Sequence, residues 1–185
     1  MRTFGSPLRN IMTCRVLLVD DDAATRDVLA RILCERLEAF VHTAADGNDA
    51  MRKLAERFYD VVLTDLRMPD VNGKQLMDLG KVIQPGIAVV IVSGEVDAGT
   101  RRRLLAEGAY EVLSKPVDVA YLVSTIQHAA NAASLSRQVA ALREALAEHI
   151  RESCIGPDAS AVHLTGWPQQ LGLPWLSESS GSGSH

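Results

Sequence analysis

Val61 to Gly73 reads VVLTDLRMPDVNG. A β-branched, apolar run ends in an acid, Asp65, and a Met-Pro pair and a glycine follow within a few residues. A short run with no polar alternation is the pattern of a strand covered on both faces, as in a parallel sheet. Pro69 and Gly73 then mark a turn. Open parallel sheets bind ligands at the carboxyl ends of their strands, so an acid at such a tip stands where chemistry happens. Asp65 could be a helix cap, a metal ligand or a nucleophile, and its neighbours in the fold decide which.

Working outward, the same pattern repeats. RVLLV (Arg15 to Val19) runs into Asp20, Asp21 and Asp22, and AFVHTA (Ala39 to Ala44) is a second strand. The third strand spans Asp60 to Thr64, the fourth is IAVVIV (Ile87 to Val92), and the fifth is YEVL (Tyr110 to Leu113). Helices alternate with them. Val28, Leu29, Ile32, Leu33 and Leu37 recur at helical spacing within Ala23 to Leu37, and further helices follow DGND, begin at GKQLM, and span Ala98 to Glu107. Strands alternating with helices imply βαβ units: an α/β, doubly wound, five-stranded parallel sheet with helices on both faces.

Past Pro116 the character changes. From Asp118 to about Ser153 there is no Pro or Gly, and Leu135, Val139, Leu142 and Leu146 step by 4, 3 and 4. The fifth helix is therefore expected to run on as a stalk, about 50 Å long at 1.5 Å per residue. The expected organisation is an N-terminal extension (1–13), the α/β domain (14–131), a helical stalk with coiled-coil character (132–153) and a flexible tail (154–185) containing Trp167 and Trp175. The closing SSGSGSH has linker composition.

Composition narrows the partners. With 47% apolar residues a core is easily supplied, and a net charge of −4 without a Lys/Arg block beyond Arg101 to Arg103 argues against direct nucleic-acid binding. Three scattered cysteines, Cys14, Cys34 and Cys154, read as reduced thiols of a cytoplasmic protein, with Cys34 expected in the core. The start of the chain lacks a signal-peptide core, and no window is long and apolar enough for a membrane span.

The chemistry is carried by four stretches. If the sheet is as read, Asp20, Asp21, Asp65, Ser93 and Lys115 converge on one edge. Close carboxylates repel by roughly 4 kcal/mol per pair at an effective dielectric near 20, so folding alone does not favour this set. A hard cation such as Mg²⁺, which keeps water and phosphate oxygens as ligands, resolves the conflict. An ammonium and a hydroxyl suit the oxygens of a transferring phosphoryl group, and an aspartate can attack phosphorus. Asp65 reads as that nucleophile, and Asp22 as a cap of the first helix.

VLLVDDD, LTDLRMPDVNG, VVIVSGE and LSKPVD together resemble the receiver domain of two-component response regulators, in its order and spacing, over roughly Cys14 to Asn131. The resemblance implies a flavodoxin-like sheet of order 2-1-3-4-5. It implies that Asp65 is the phospho-acceptor, with Ser93 the switch hydroxyl and Lys115 contacting the phosphoryl group. Asp20, Asp21, Asp65 and the Arg67 backbone carbonyl would hold Mg²⁺, with Asp20 acting through water. The Lys115–Pro116 bond is usually cis in this family. The implied partner is a sensor histidine kinase or phosphotransfer protein, and the domain would catalyse only its own phosphorylation and dephosphorylation. Phosphorylation would signal through the fourth and fifth helix face and the C-terminal helix, where a homodimer could form. One position departs from the pattern: Val112 stands where the family often places an aromatic, and Tyr110 is a weak substitute.

Rival readings remain. A haloacid-dehalogenase-type hydrolase needs a second aspartate where this chain has Arg67, and a phosphorylation-inactive adaptor that dimerises is left open by Val112. Arg67 and Glu95 are candidates to pair across the mouth and obstruct hydrolytic water; His128 and His149 read as surface residues of the long helix.

Overall fold

The computed structural model describes residues 14–37, 39–94 and 96–154, the side chains of 152–154 excepted. Strands and helices alternate as β1 (Arg15–Val19), α1 (Ala23–Leu37), β2 (Phe40–Ala44), α2 (Gly47–Glu56), β3 (Val61–Asp65), α3 (Gly73–Ile83), β4 (Ala88–Ser93), α4 (Ala98–Ala106), β5 (Glu111–Ser114) and α5 (Val119–Cys154). All neighbouring strands pair in parallel, in the order β2-β1-β3-β4-β5. The extension 1–13 and the Trp-containing tail lie outside the described residues.

Continuous apolar strands follow from burial on both faces. Val16 and Leu18 point into one core with Val61, Leu63, Val90 and α5 residues such as Leu122 and Ile126. Leu17 and Val19 point the other way, with Val62, Leu54, Leu76, Ile91 and Leu104. Each fully buried Leu or Val contributes about 1.5–3 kcal/mol relative to exposure, so the two sandwiched layers fix the register of the central strands.

Polar residues place the helix starts. Asp22 receives the Thr25 amide (3.0 Å) and hydroxyl (2.5 Å). Asp46 and Asp97 likewise accept from Asp49 and Thr100, while Asn72 and Gln75 form a reciprocal capping box. Such caps are worth about 1 kcal/mol each.

Three strands run one residue further than their apolar runs suggest. Asp65 pairs with Val92 and Ser93 with Ser114 in the ladder. The backbone bonding continues past them, since Leu66 N donates to Val92 O at 3.0 Å and Lys115 N to Ser93 O at 2.8 Å. Asp65 and Ser93 are therefore seated in the sheet rather than on loops beyond it.

Cys34 is exposed, contrary to expectation. Helix α1 turns only Leu29 and Leu33, supported by Ala30 and Leu37, toward the core, and a residue after Leu33 is rotated about 100° away from that row. Val28, 57% exposed, misses the core for the same reason.

Helix α5 packs through Ala129, Ala130 and Ala133. Its next tie to the strands is Arg137, whose Nη2 pairs with Asp60 Oδ1 and whose guanidinium lies 4.6 Å from the Phe58 ring centroid. From Gln138 to Arg151 every side chain is exposed, including His149; His128 is exposed as well. By internal contacts the chain up to Arg143 forms one unit, and the helical residues from Glu144 belong to a second.

Candidate functional site

The carboxyl edge of the sheet collects Asp20 from the end of β1, Asp65 from β3, Ser93 from β4 and Lys115 from beyond β5. Lys115 Nζ bridges the two acids, 3.1 Å from Asp20 Oδ2 and 3.2 Å from Asp65 Oδ1. Both carboxylates are buried, Asp20 at 2% exposure and Asp65 at 9%. The second Asp65 oxygen receives the Arg67 amide at 3.1 Å. Asp20 Oδ1 receives the Asp22 amide at 2.9 Å, so both Asp20 oxygens are engaged. Asp21 is exposed, and its carboxylate has no hydrogen-bond partner among the described residues. The Lys115–Pro116 peptide bond is cis.

Ser93 is the outlier of this set. It is 1% exposed, and its hydroxyl has no hydrogen-bond partner among the described residues. A buried hydroxyl with an unmade bond costs about 1–3 kcal/mol, so it favours an acceptor that comes within its reach. Ser93 lines a cavity of about 440 Å³ with Asp65, Arg67, Gly94 and Lys115. An acceptor entering that space would meet a hydroxyl, an ammonium and a carboxylate together.

Among the described residues no three His, Cys, Asp or Glu side chains form a ready-made metal cage. The donors on offer are hard oxygens: the exposed Asp21 carboxylate and the buried carboxylates of Asp20 and Asp65. Such a sparse set fits a cation that retains several waters better than one that demands a protein cage.

Burial alone would lower the Lys115 pKa, but its hydrogen bonds to Asp20 and Asp65 outweigh this and hold it above the ordinary 10.5. A raised lysine pKa contributes stability that is complete below the unfolded-state value and is lost as pH rises through the folded one. The stability gap between wild type and Lys115→Ala is therefore expected to narrow above about pH 10.5, as read by urea melts from about pH 9 to 11.5. A constant gap across that range would remove the charge from this account.

Two features of the site have no motif in the sequence. Arg26 Nη1 donates to the Asp20 carbonyl at 2.7 Å, reaching back from α1 to hold the acidic turn in place. Gly73 lets α3 begin against the end of β3: a Cβ there would stand 2.3 Å from the Asp65 carbonyl oxygen. Asp70, with φ +60°, turns the intervening loop back toward that helix start. Gly73→Ala is expected to cost about 1–3 kcal/mol by overpacking, with a Tm lower by about 5–10 °C in a thermal circular-dichroism melt. An unchanged melt would mean that the loop yields freely.

At the position where the resemblance implies an aromatic, Val112 is 1% exposed and pairs with Ile91. Tyr110 lies just before β5 with its side chain 39% exposed. Glu95 lies outside the described residues, so a pairing with Arg67 falls outside them too.

The fold and site define a class: a flavodoxin-like α/β domain with a lysine-bridged acid pocket at the carboxyl edge of its sheet. The family model of the response regulator receiver domain matches residues 16–127. The chain belongs to that family. It is 35% identical over 116 residues to the DNA-binding transcriptional regulator NtrC of Azospirillum brasilense, covering 63% of this chain and 24% of the relative. The chain thus spans about a quarter of the length of that curated relative. A response regulator receiver domain from Clostridium thermocellum superposes with a TM-score of 0.62 at 31% identity, over 66% of this chain and 98% of the other. The beryllofluoride-activated NtrC4 receiver domain dimer gives 0.60 at 34% identity, over 64% and 98%.

Proposed function

We propose that this receiver takes a phosphoryl group onto Asp65 from a histidine kinase or a phosphotransfer protein. The observation that carries the reading is the buried Ser93 hydroxyl, without a hydrogen-bond partner among the described residues, on a residue that lines the same cavity as Asp65 and Lys115. An Asp65 oxygen attacks phosphorus, the bond from phosphorus to the donor nitrogen breaks, and the donor imidazole leaves with the bonding electrons. Lys115 and Ser93 offer a charge and a hydrogen bond to the phosphoryl oxygens, while the Arg67 amide orients the acceptor. Receiver domains of this family typically use Mg²⁺, and here Asp21, Asp65, the Arg67 carbonyl and, through water, Asp20 would hold it. Bound there, it would neutralise phosphoryl charge.

Two surfaces suit the partners. An apolar groove of about 450 Å³ between α1 and the segment after β5, lined by Val28, Ile32, Pro116 and Val119 and ending at Lys115, is placed to receive a helical phosphodonor. On the other side of β5, Glu111 accepts from Arg101 of α4 at 2.8 Å and from the Tyr121 hydroxyl of α5 at 3.2 Å. That link is where occupancy of Asp65 would be read by the α4 and α5 face, without a rotating aromatic. Leu135, Val139, Leu142 and Leu146 on α5 are all exposed, and a second copy of the chain is the occupant their spacing suits. Among the described residues no helix is long and apolar enough to cross a membrane.

The direct test is intact mass after incubation with acetyl phosphate. One phosphoryl group is expected with Mg²⁺ and none with excess chelator. No gain with Mg²⁺ in a folded protein would leave the phosphorylation-inactive adaptor as the better reading.

A further inference from the structure

The amino ends of the strands, opposite the acid pocket, hold a cleft that phosphoryl chemistry does not use. It has a volume of about 430 Å³ and is lined by Arg15, Phe40, His42, Arg57 and Phe58. Phe40 and Phe58 are the only phenylalanines among the described residues, and they are 62% and 39% exposed. Phenylalanine is ordinarily drawn into the core, so two exposed rings at one cleft are the unusual observation.

Charge is equally uneven there. Arg15 and Arg57 are exposed, and neither guanidinium has an ion-pair partner among the described residues. Asp60, which directly precedes β3, is already engaged: Oδ1 pairs with Arg137 and Oδ2 receives the Arg15 backbone amide at 2.7 Å. His42 meets the Tyr59 hydroxyl through Nδ1 at 3.1 Å, so the imidazole is anchored from behind. The cleft thus offers aromatic surface beside two arginines that make no ion pair among the described residues, on a chain whose net charge is −4.

We propose that this cleft docks an extended acidic segment of a partner protein, one that carries an aromatic side chain. Arginines with exposed aromatics are the side chains that anchor protein interfaces. Phe40 opens β2, one of the two edge strands, where an extended chain can lie alongside. Two lone cations on an acidic protein do not form the continuous track that a nucleic-acid backbone requires. The site is independent of phosphorylation and leaves the Asp65 chemistry untouched.

The test uses the full chain and a fluorescein-labelled peptide of alternating Glu and Tyr, read by anisotropy. Saturable binding is expected, weakened about tenfold or more by the double substitution Arg15→Gln with Arg57→Gln and, separately, by Phe40→Ser. The exposed Arg102 of α4 provides the control, since Arg102→Gln lowers net charge without touching the cleft. Absence of saturable binding overturns the proposal. An equal loss in Arg102→Gln reduces it to general charge attraction, and tighter binding of a labelled oligothymidine makes the occupant a nucleic acid instead.

Discussion

Asp65→Asn is expected to abolish phosphoryl uptake from acetyl phosphate while leaving the protein folded. The substitution keeps the shape of the side chain and an oxygen that can still accept the Arg67 amide, so the turn after β3 retains its anchor. It removes the charge that makes the oxygen a nucleophile, and an amide forms no stable phosphoryl adduct. Asp20 keeps Lys115 in place from the other side at 3.1 Å, so the pocket does not collapse. The readout is intact mass with and without hydroxylamine, beside a melt. Uptake persisting at the wild-type level would place the acceptor elsewhere and end the receiver chemistry proposed for this pocket.

Lys115→Ala should show the next largest loss. Its ammonium touches both acids and borders the cavity that Ser93 faces. Removing a preorganised donor aimed at developing charge costs about 10²–10³ in rate, roughly 3–4 kcal/mol. Deleting it also leaves Asp20 and Asp65 buried without their shared counter-charge, so stability should fall as well. The two effects separate by measuring the uptake rate well below the variant's own Tm. A rate within threefold of wild type there would mean that the lysine holds the acids apart but takes no part in transfer.

Both expectations concern residues that the amino-acid pattern alone makes conspicuous, and the reason is physical. Buried parallel strands demand unbroken apolar runs, so a polar residue at their ends stands out, and Asp20, Asp65, Ser93 and Lys115 all lie at such ends. The same pattern places the ends of β3, β4 and β5 one residue short. The expected strands stop at Thr64, Val92 and Leu113, yet the strands run on through Asp65, Ser93 and Ser114, because a ladder bond needs no apolar side chain. What stays hidden in the sequence depends on angle or distance. Whether Cys34 meets the core turns on its rotation about α1, which apolar neighbours in the chain do not report. Arg26 over the Asp20 carbonyl and Gly73 against Asp65 are close approaches that leave no periodic trace. The pairing of Arg137 with Asp60 joins residues 77 positions apart.

That last pair makes α5 a protractor. With Arg137 seated on Asp60 and Phe58, the rotational phase of the helix is set at a known residue. Each residue after it turns the helix by about 100° and advances it by 1.5 Å. A module grafted beyond Arg137 would receive its angular setting as well as its tether from this arginine. One inserted residue would swing such a module through more than a quarter turn. Seven or eleven would return it to within about 20° of its starting bearing, so a designer of chimeric regulators should count in those lengths.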